Sequence, residues 1–303
     1  MRDHRGIALI IVLWIAVLLS SITITGAYLV RLEQRQAYYS AREVQLISAA
    51  MAGMEKVKAE LIKDDNVYDS LKEGWKSSFK DDFSIGEVTV SLSVEDEESK
   101  LNLNTASRER LAKLAPLERA INSNELVDSL IDWTDKNTDA LPGGAEEGYY
   151  KLLMPPVQCK NGPLDSIEEL VFVKGFQDTK VIDSLRKVAT IYSDGKVNIN
   201  TASLETLMTL PKVNYLLAQG IIAHRNGKDL EQGTEDDLPY DTIQRVEEVV
   251  GKDVYKEIQS LLTVKSSYFK VTIRTSFGKY SKMVEAMLYR QGRIVQVKYW
   301  EEV

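Results

Sequence analysis

The chain has 303 residues, enough for two domains of ordinary size, and 44% hydrophobic against 27% charged residues permit a packed core. A net charge of -7 gives no support to a general electrostatic pull toward nucleic acid. With two histidines and one cysteine, Cys159, an internal disulfide framework, a cysteine-rich zinc site and a Cys-x-x-Cys redox pair are excluded.

Charge and proline are unevenly spread. Residues 1–104, 105–262 and 263–303 carry net charges of -4, -8 and +5, and all seven prolines fall in the middle segment. The flanks therefore consist of uninterrupted elements and the middle of short, turn-punctuated ones, the pattern of an insert between two parts of one scaffold.

The first element runs from Gly6 to Val30 without a charge, between Arg5 and Arg31. As a helix it would span about 37 Å, more than the ~30 Å hydrocarbon core of a bilayer. Three readings compete: a cleaved secretory signal with Thr25-Gly26-Ala27 before the cut, a plain single-pass anchor, and a membrane-spanning stalk that continues outward. Val44, Ile47, Met51, Met54, Val57 and Leu61 recur at three- and four-residue steps with no proline before Pro116, which predicts one helix over 7–62 and favours the stalk. Its rear half is amphipathic, ready to lie on a sheet.

That sheet is expected from the alternation of Val88, Val90, Leu92 and Val94 in one strand, 85–94, and from three strands after Leu262. Phe269, Val271 and Ile273 alternate in the first of these, 283–289 and 293–300 form the others, and Gly278 and Gln291-Gly292 supply the turns.

The middle segment repeats itself. Leu101-Asn102-Leu103-Asn104-Thr105-Ala106-Ser107 and Val197-Asn198-Ile199-Asn200-Thr201-Ala202-Ser203 each lead into a short amphipathic helix, with Asn and Thr suited to capping its free N–H groups. The second copy, continued through Leu210-Pro211-Lys212-Val213-Asn214 to Ile221-Ile222-Ala223-His224-Arg225, resembles a helix-hairpin-helix module; Leu170–Phe176 is a weaker echo. Such modules hold DNA phosphate on the backbone of a glycine-bearing hairpin. Pro-Lys-Val-Asn lacks the glycines and the segment is acidic, so a scaffold for protein contacts is the better reading and no nucleic acid is expected.

Between the copies, Asp135, Asn137 and Asp139 stand at positions one, three and five of a calcium loop and Glu146 at position twelve, where a carboxylate closes the shell. Ala140 and Pro142 depart from the EF-hand, and the rival reading is a solvated acidic turn with no ion. The acidic run 229–241 lacks that alternation and reads as a surface loop. For catalysis the sequence offers no Gly-x-Ser-x-Gly elbow, Walker loop, His-Glu-x-x-His helix or dinucleotide fingerprint, and Cys159 has no evident base, so no enzyme activity is expected.

Arg5-Gly6-Ile7-Ala8-Leu9-Ile10 looks like the leader of type IV pilins and pseudopilins, and the run from Leu130 to Tyr150, continued through Lys160–Leu170, is very similar to the helical domain of the minor pseudopilin K family of the type II secretion system. The resemblance covers nearly the whole chain. It implies an α+β fold: a pilin-like long helix on a small antiparallel sheet, with a large helical insert of helix-hairpin-helix-like or SAM-like type between strands. The parts would be a leader (1–6), a membrane span (7–30), the rest of the helix and first strands (31–104), the insert (105–262) and the closing strands (263–303). It implies processing by prepilin peptidase between Gly6 and Ile7, methylation of Ile7, and calcium in the helical domain. Ile11 stands at the fifth mature position, where most of that superfamily has glutamate; a tip subunit has no neighbour above whose amine needs a carboxylate. The implied role is to nucleate the pseudopilus with other minor pseudopilins of I- and J-type, atop the major pseudopilus. It would sit in the bacterial inner membrane as a single-pass protein with a periplasmic head, near secretin or exported proteins. The rival is a membrane-anchored DNA-uptake protein.

Overall fold

The computed structural model describes residues 5–303; residues 1–4 of the expected leader, and the side chains of Arg5 and Gly6, lie outside the described residues. One helix runs unbroken from Arg5 to Lys63, 59 residues, or about 88 Å at the α-helical rise. Ser20 and Thr23 return their hydroxyls to the carbonyls of Ala16 and Leu19, so these polar residues do not interrupt the apolar stretch. An 18-residue window near its start reaches a mean hydropathy of 2.8 with none of it buried, compatible with a single-pass membrane anchor.

The first buried side chain is Leu46. From there Leu46, Ala49, Ala50, Met54, Val57 and Leu61 face the sheet, whereas Val44 and Met51, which the periodicity placed on that stripe, point outward and are 62% and 56% exposed. Small residues decide the rotation. A Cβ on Gly53 would lie 3.1 Å from Leu92 Cδ2 and 3.3 Å from Val90 Cγ1, so Ala49, Ala50 and Gly53 form the line along which the helix meets the sheet closely. A pattern counted only over large apolar residues misses such a line.

After the helix the chain forms strand β1 (Phe83–Ile85) and β2 (Val88–Asp96), a hairpin where a single strand was expected. The insert follows, with two-residue strands β3 (Leu101–Asn102), β4 (Ala189–Thr190), β5 (Val197–Asn198) and β6 (Leu262–Thr263). The closing strands are β7 (Tyr268–Phe277), β8 (Tyr280–Gln291) and β9 (Ile294–Glu302). The main sheet is antiparallel in the order β1-β2-β7-β8-β9. Val88, Val90, Leu92 and Val94 are buried on one side, as alternation predicts, and meet Phe269, Val271, Ile273, Val284, Ala286 and Leu288 beneath the helix.

The insert is two units, each with its own hydrophobic core. In each unit the opening strand pairs in parallel with its closing one: β3 with β4, and β5 with β6. Because β3 pairs inside the insert, the scaffold strand ends at Asp96, eight residues before the expected boundary at 104.

The insert sits at one end of the rod. Asp96 pairs with Phe269 where β2 leaves the sheet and β7 enters it, beside the loop after the long helix. The opposite end of β7 reaches Phe277, and Tyr280 at the start of β8 packs on Tyr38 and Tyr39 of the helix. The helical units therefore occupy the end away from the apolar span.

Candidate functional site

The two Asn-x-Asn-Thr-Ala-Ser motifs build equivalent corners. In each, the first Asn accepts from the backbone of the second: Asn104 N–H donates to Asn102 Oδ1 at 2.8 Å and Asn200 N–H to Asn198 Oδ1 at 3.0 Å. The second Asn grips a distant backbone from both sides. Asn104 accepts from Leu164 N–H and donates to Leu164 C=O; Asn200 does the same with Tyr240. Ser107 and Ser203 then cap the helices Arg108–Ala112 and Leu204–Met208. The grip closes a long loop in each unit, and the acidic loop 135–146 and all but the last residue of 229–241 lie within those closures.

The helix-hairpin-helix likeness is real in geometry. Leu204–Met208 and Tyr215–Arg225 flank a hairpin in which Lys212 takes the left-handed conformation, φ +59°, that glycine would take freely. Its ammonium pairs with Glu257 at 2.8 Å, so the hairpin's cation is already engaged. The echo at Leu170–Phe176 is a second hairpin, with Gly175 at φ +88° between Ile167–Phe172 and Thr179–Val188. Its counterpart in the other unit is Gly251, φ +80°, between Glu247–Val250 and Lys252–Ile258; this hairpin the sequence reading missed, though a lone glycine between two short apolar helical patterns was its signal. His224 ends a helix and stacks on Tyr240 at 4.5 Å.

In the 135–146 loop, Asp135 accepts from both the backbone and the side-chain amide of Asn137, whose own Oδ1 accepts from Asp139 N–H. Asn137 and Asp139 are exposed, Asp135 is half-buried, and the three hold a turn. Glu146 lies on the buried side, 7% exposed, with Oε1 lacking any partner and the Cys159 thiol 3.7 Å from Oε2. Asp132, one turn of helix before Asp135, was missed by spacing. Its carboxylate is fully buried, accepts from Leu141 N–H, and occupies the space a side chain on Gly144 would need, at 1.9 Å from that Cβ. Burial raises the Glu146 carboxyl pKa, and the charges of Asp132 and Asp135 raise it further. Burial likewise pushes Asp132 up, with Asp135 and Asp128 adding to it. An unpartnered buried carboxylate oxygen among like charges is an electrostatic deficit that a hard cation would relieve, but among the described residues only Asp64, Asp69 and Glu73 bring three ligand atoms together, so the loop residues are not gathered into a shell as they stand. The Cys159 thiol, pushed up to about 11 by burial and then by Glu146, is held neutral rather than poised as a nucleophile.

A second polar centre joins helix, sheet and insert. Asp96 Oδ2 accepts from Asn198 Nδ2 at 3.0 Å, Ser266 Oγ at 2.7 Å and the Thr201 hydroxyl. Arg290 pairs with Asp64 at 2.7 Å and Asp69 at 2.5 Å and donates to Ser266 C=O at 2.8 Å. Asp64, Asp69 and Glu73 cluster closely enough for a metal, but Arg290 already supplies the positive charge there. Asp96 and Arg290 were legible in principle. Each continues the inward-facing parity of its strand, after Val94 and Leu288, and a charge on the inward side of a strand marks a buried network.

Comparison with known proteins agrees with this architecture. The family model for type II secretion system (T2SS), protein K, matches residues 91–194, and a helix-hairpin-helix motif model matches 193–230. The type II secretion system protein K of Aeromonas hydrophila is 27% identical, with 95% of this chain and 94% of that protein covered. In fold, the chain is similar to a subunit in the crystal structure of the GspK-GspI-GspJ complex from the enterotoxigenic Escherichia coli type 2 secretion system, with a TM-score of 0.69 at 17% identity, over 90% of this chain and 99% of that one. The long helix on its sheet, the doubled helical insert and a relative aligned over nearly its whole length converge, and the chain is similar throughout to protein K of type II secretion systems.

Proposed function

We propose that this chain is the tip subunit of the pseudopilus and nucleates its assembly with I- and J-type minor pseudopilins, for protein export across the outer membrane. The observation that carries this reading is the position of the insert, at the end of the rod opposite the apolar span and directly beyond the helix terminus. A subunit adding above would meet that bulk. The helix from Ile7 through Gln45 buries no side chain of its own fold, which suits a rod that bundles with neighbouring helices in and above the bilayer. Ile11 fits the same place, because a subunit with no neighbour above needs no carboxylate at membrane depth. The head lies in the periplasm, anchored in the inner membrane after prepilin peptidase cuts between Gly6 and Ile7, within reach of secretin or exported proteins. Mass spectrometry of the native protein tests this: a start at methylated Ile7 is expected, and one at Met1 or near Tyr28 would overturn it.

The acidic loop of the first unit takes calcium in this reading, with Asp132, Asp135, Asn137, Asp139 and Glu146 as the residues that would hold it. The ion would neutralise the buried carboxylates and stiffen the loop. Isothermal titration of the head should detect binding that Asp139→Ala weakens and Glu146→Gln weakens more; a wild-type head that takes up no calcium would sink it.

A further inference from the structure

Just beyond the apolar span, one side of the long helix carries Arg31, Gln34, Arg35, Tyr38 and Tyr39, within an arc of about 140° at 100° per residue, while Glu33 falls on the opposite face. Tyr280, the first residue of β8, closes this face from the side. Its ring lies 6.4 Å from that of Tyr38 and 5.9 Å from that of Tyr39, and the last two are 6.1 Å apart, all edge-on. Together these residues line a hollow of about 460 Å³. Lys279 lies over the Tyr280 ring at 5.4 Å, and Arg42, one turn further along, over Tyr38 at 5.1 Å. Arg42 is engaged by Glu87 at 3.7 Å and Gln45 at 2.7 Å, but no carboxylate among the described residues lies within ion-pair distance of Arg31 or Arg35.

Resting on the membrane-anchor reading, we propose that this hollow binds the phosphate headgroup of an anionic phospholipid in the leaflet nearest the head. Depth is the first argument. Arg31 follows the last apolar residue, Val30, and Arg35 lies about 6 Å further along the axis, so the two span a headgroup layer about 5–8 Å thick. Chemistry is the second: two unpaired guanidinium groups suit bidentate phosphate contact, and tyrosine rings with polar tips favour the interface. Construction is the third, since the start of β8, from the far end of the sequence, completes the site, which no simple anchor flank requires. Basic residues on the side of a span that carries the head also oppose the usual bias of lysine and arginine toward the other side, and a bound anionic lipid offsets that disadvantage.

The test uses the full chain in vesicles of equal parts phosphatidylcholine and phosphatidylglycerol, extracted gently and weighed by native mass spectrometry. Wild type and Glu33→Gln should retain phosphatidylglycerol in preference to phosphatidylcholine. Arg31→Gln/Arg35→Gln should lower that retention, by about fivefold per arginine removed, and Tyr280→Ala should lower it without loss of either charge. Equal retention of the two lipids, no effect of the double substitution, or photocrosslinking from position 38 to another protein's helix in place of lipid would each overturn the site. Alkaline carbonate extraction separates the two levels: a chain stripped from the vesicles ends the anchor reading and this one with it, whereas an integrated chain without lipid preference ends only this one.

Discussion

Arg290 holds the loop after the long helix to the sheet at the neck of the insert, and removing its charge should reveal how much that attachment is worth. The guanidinium is 2% exposed and its partners Asp64 and Asp69 are 6% and 0% exposed, so water screens neither pair. Arg290→Met keeps a stem over the Phe269 ring, which now lies 4.8 Å from the guanidinium carbon, but strands two buried carboxylates. Breaking a buried pair in this way costs about 3–5 kcal/mol, or roughly 10 °C in Tm for a head of this size. Burial already pushes the Asp69 carboxyl up to about 7 while Arg290 pulls it down; without Arg290 it rises further. A carboxyl raised in the fold contributes stability below its unfolded pKa and loses it as pH climbs through the folded value. Because the wild-type carboxyl loses the same stability up to about 7, the variant's deficit should deepen from about pH 7 to about pH 9. Urea unfolding of residues 31–303 at both ends of that range measures it; this piece retains every buried residue, since the first is Leu46. Adding Asp64→Asn and Asp69→Asn should recover most of the loss, because neutral groups need no counter-charge. A deficit under about 1 kcal/mol, one independent of pH, or a triple variant no better than the single would refute the reasoning.

Gly53→Leu should cost about 1–3 kcal/mol by forcing the helix off Leu92 and Val90, seen as a lower urea midpoint, whereas Met51→Leu on the exposed side should change little. Asn200→Ala leaves Tyr240 N–H and C=O without their partner and should destabilise the second unit by about 2 kcal/mol, with faster hydrogen exchange confined to 226–242. Glu98, held well above the usual carboxylate range by burial and by Asp96, binds a proton in the fold that the unfolded chain releases. Its contribution is present at low pH and falls by up to about 1.4 kcal/mol per pH unit as pH rises above the unfolded value, so the stability difference between wild type and Glu98→Gln should shift with pH in that window.

The elements that rest on long apolar repeats were legible. The helix over 7–62 emerges as Arg5–Lys63, and the inward parity of β2 and β7 follows the alternation read from Val88 and Phe269 onward. Failures came where small or polar residues carry the information. Ala49, Ala50 and Gly53 set the rotation of the helix because closeness, not bulk, stabilises that contact. The expected ligands Asp135, Asn137 and Asp139 are drawn by spacing alone, and spacing is blind to Asp132, which reaches the loop from a helix in which only its parity with Asp128 marks the inward side. The network of Asp69, Asp96 and Arg290 unites residues more than two hundred positions apart, and no local window contains it.

The same network explains how a scaffold of a helix and five strands carries an insert larger than its sheet. Entry and exit lie side by side: Glu98 accepts from the backbone N–H groups of Ser267 and Tyr268, closing the loop at its neck. The second unit bears on the helix end through Asn198 Nδ2 to Asp69 C=O, Asp69 N–H to Val264 C=O and Lys72 to Asp237 C=O. The first bears on the strand side, where Thr190 donates to Glu97 and Lys100 pairs with Glu95 and Glu97. Lys113, donating to Leu210 C=O, links one unit to the other. Force along the rod thus enters the insert through buried, directional bonds at two places, and a hinge at the neck alone would swing. Side-chain changes inside either unit's loops leave those anchors in place, since even Lys72 takes only the backbone carbonyl of Asp237, which makes the loops, and not the neck, the parts free to vary.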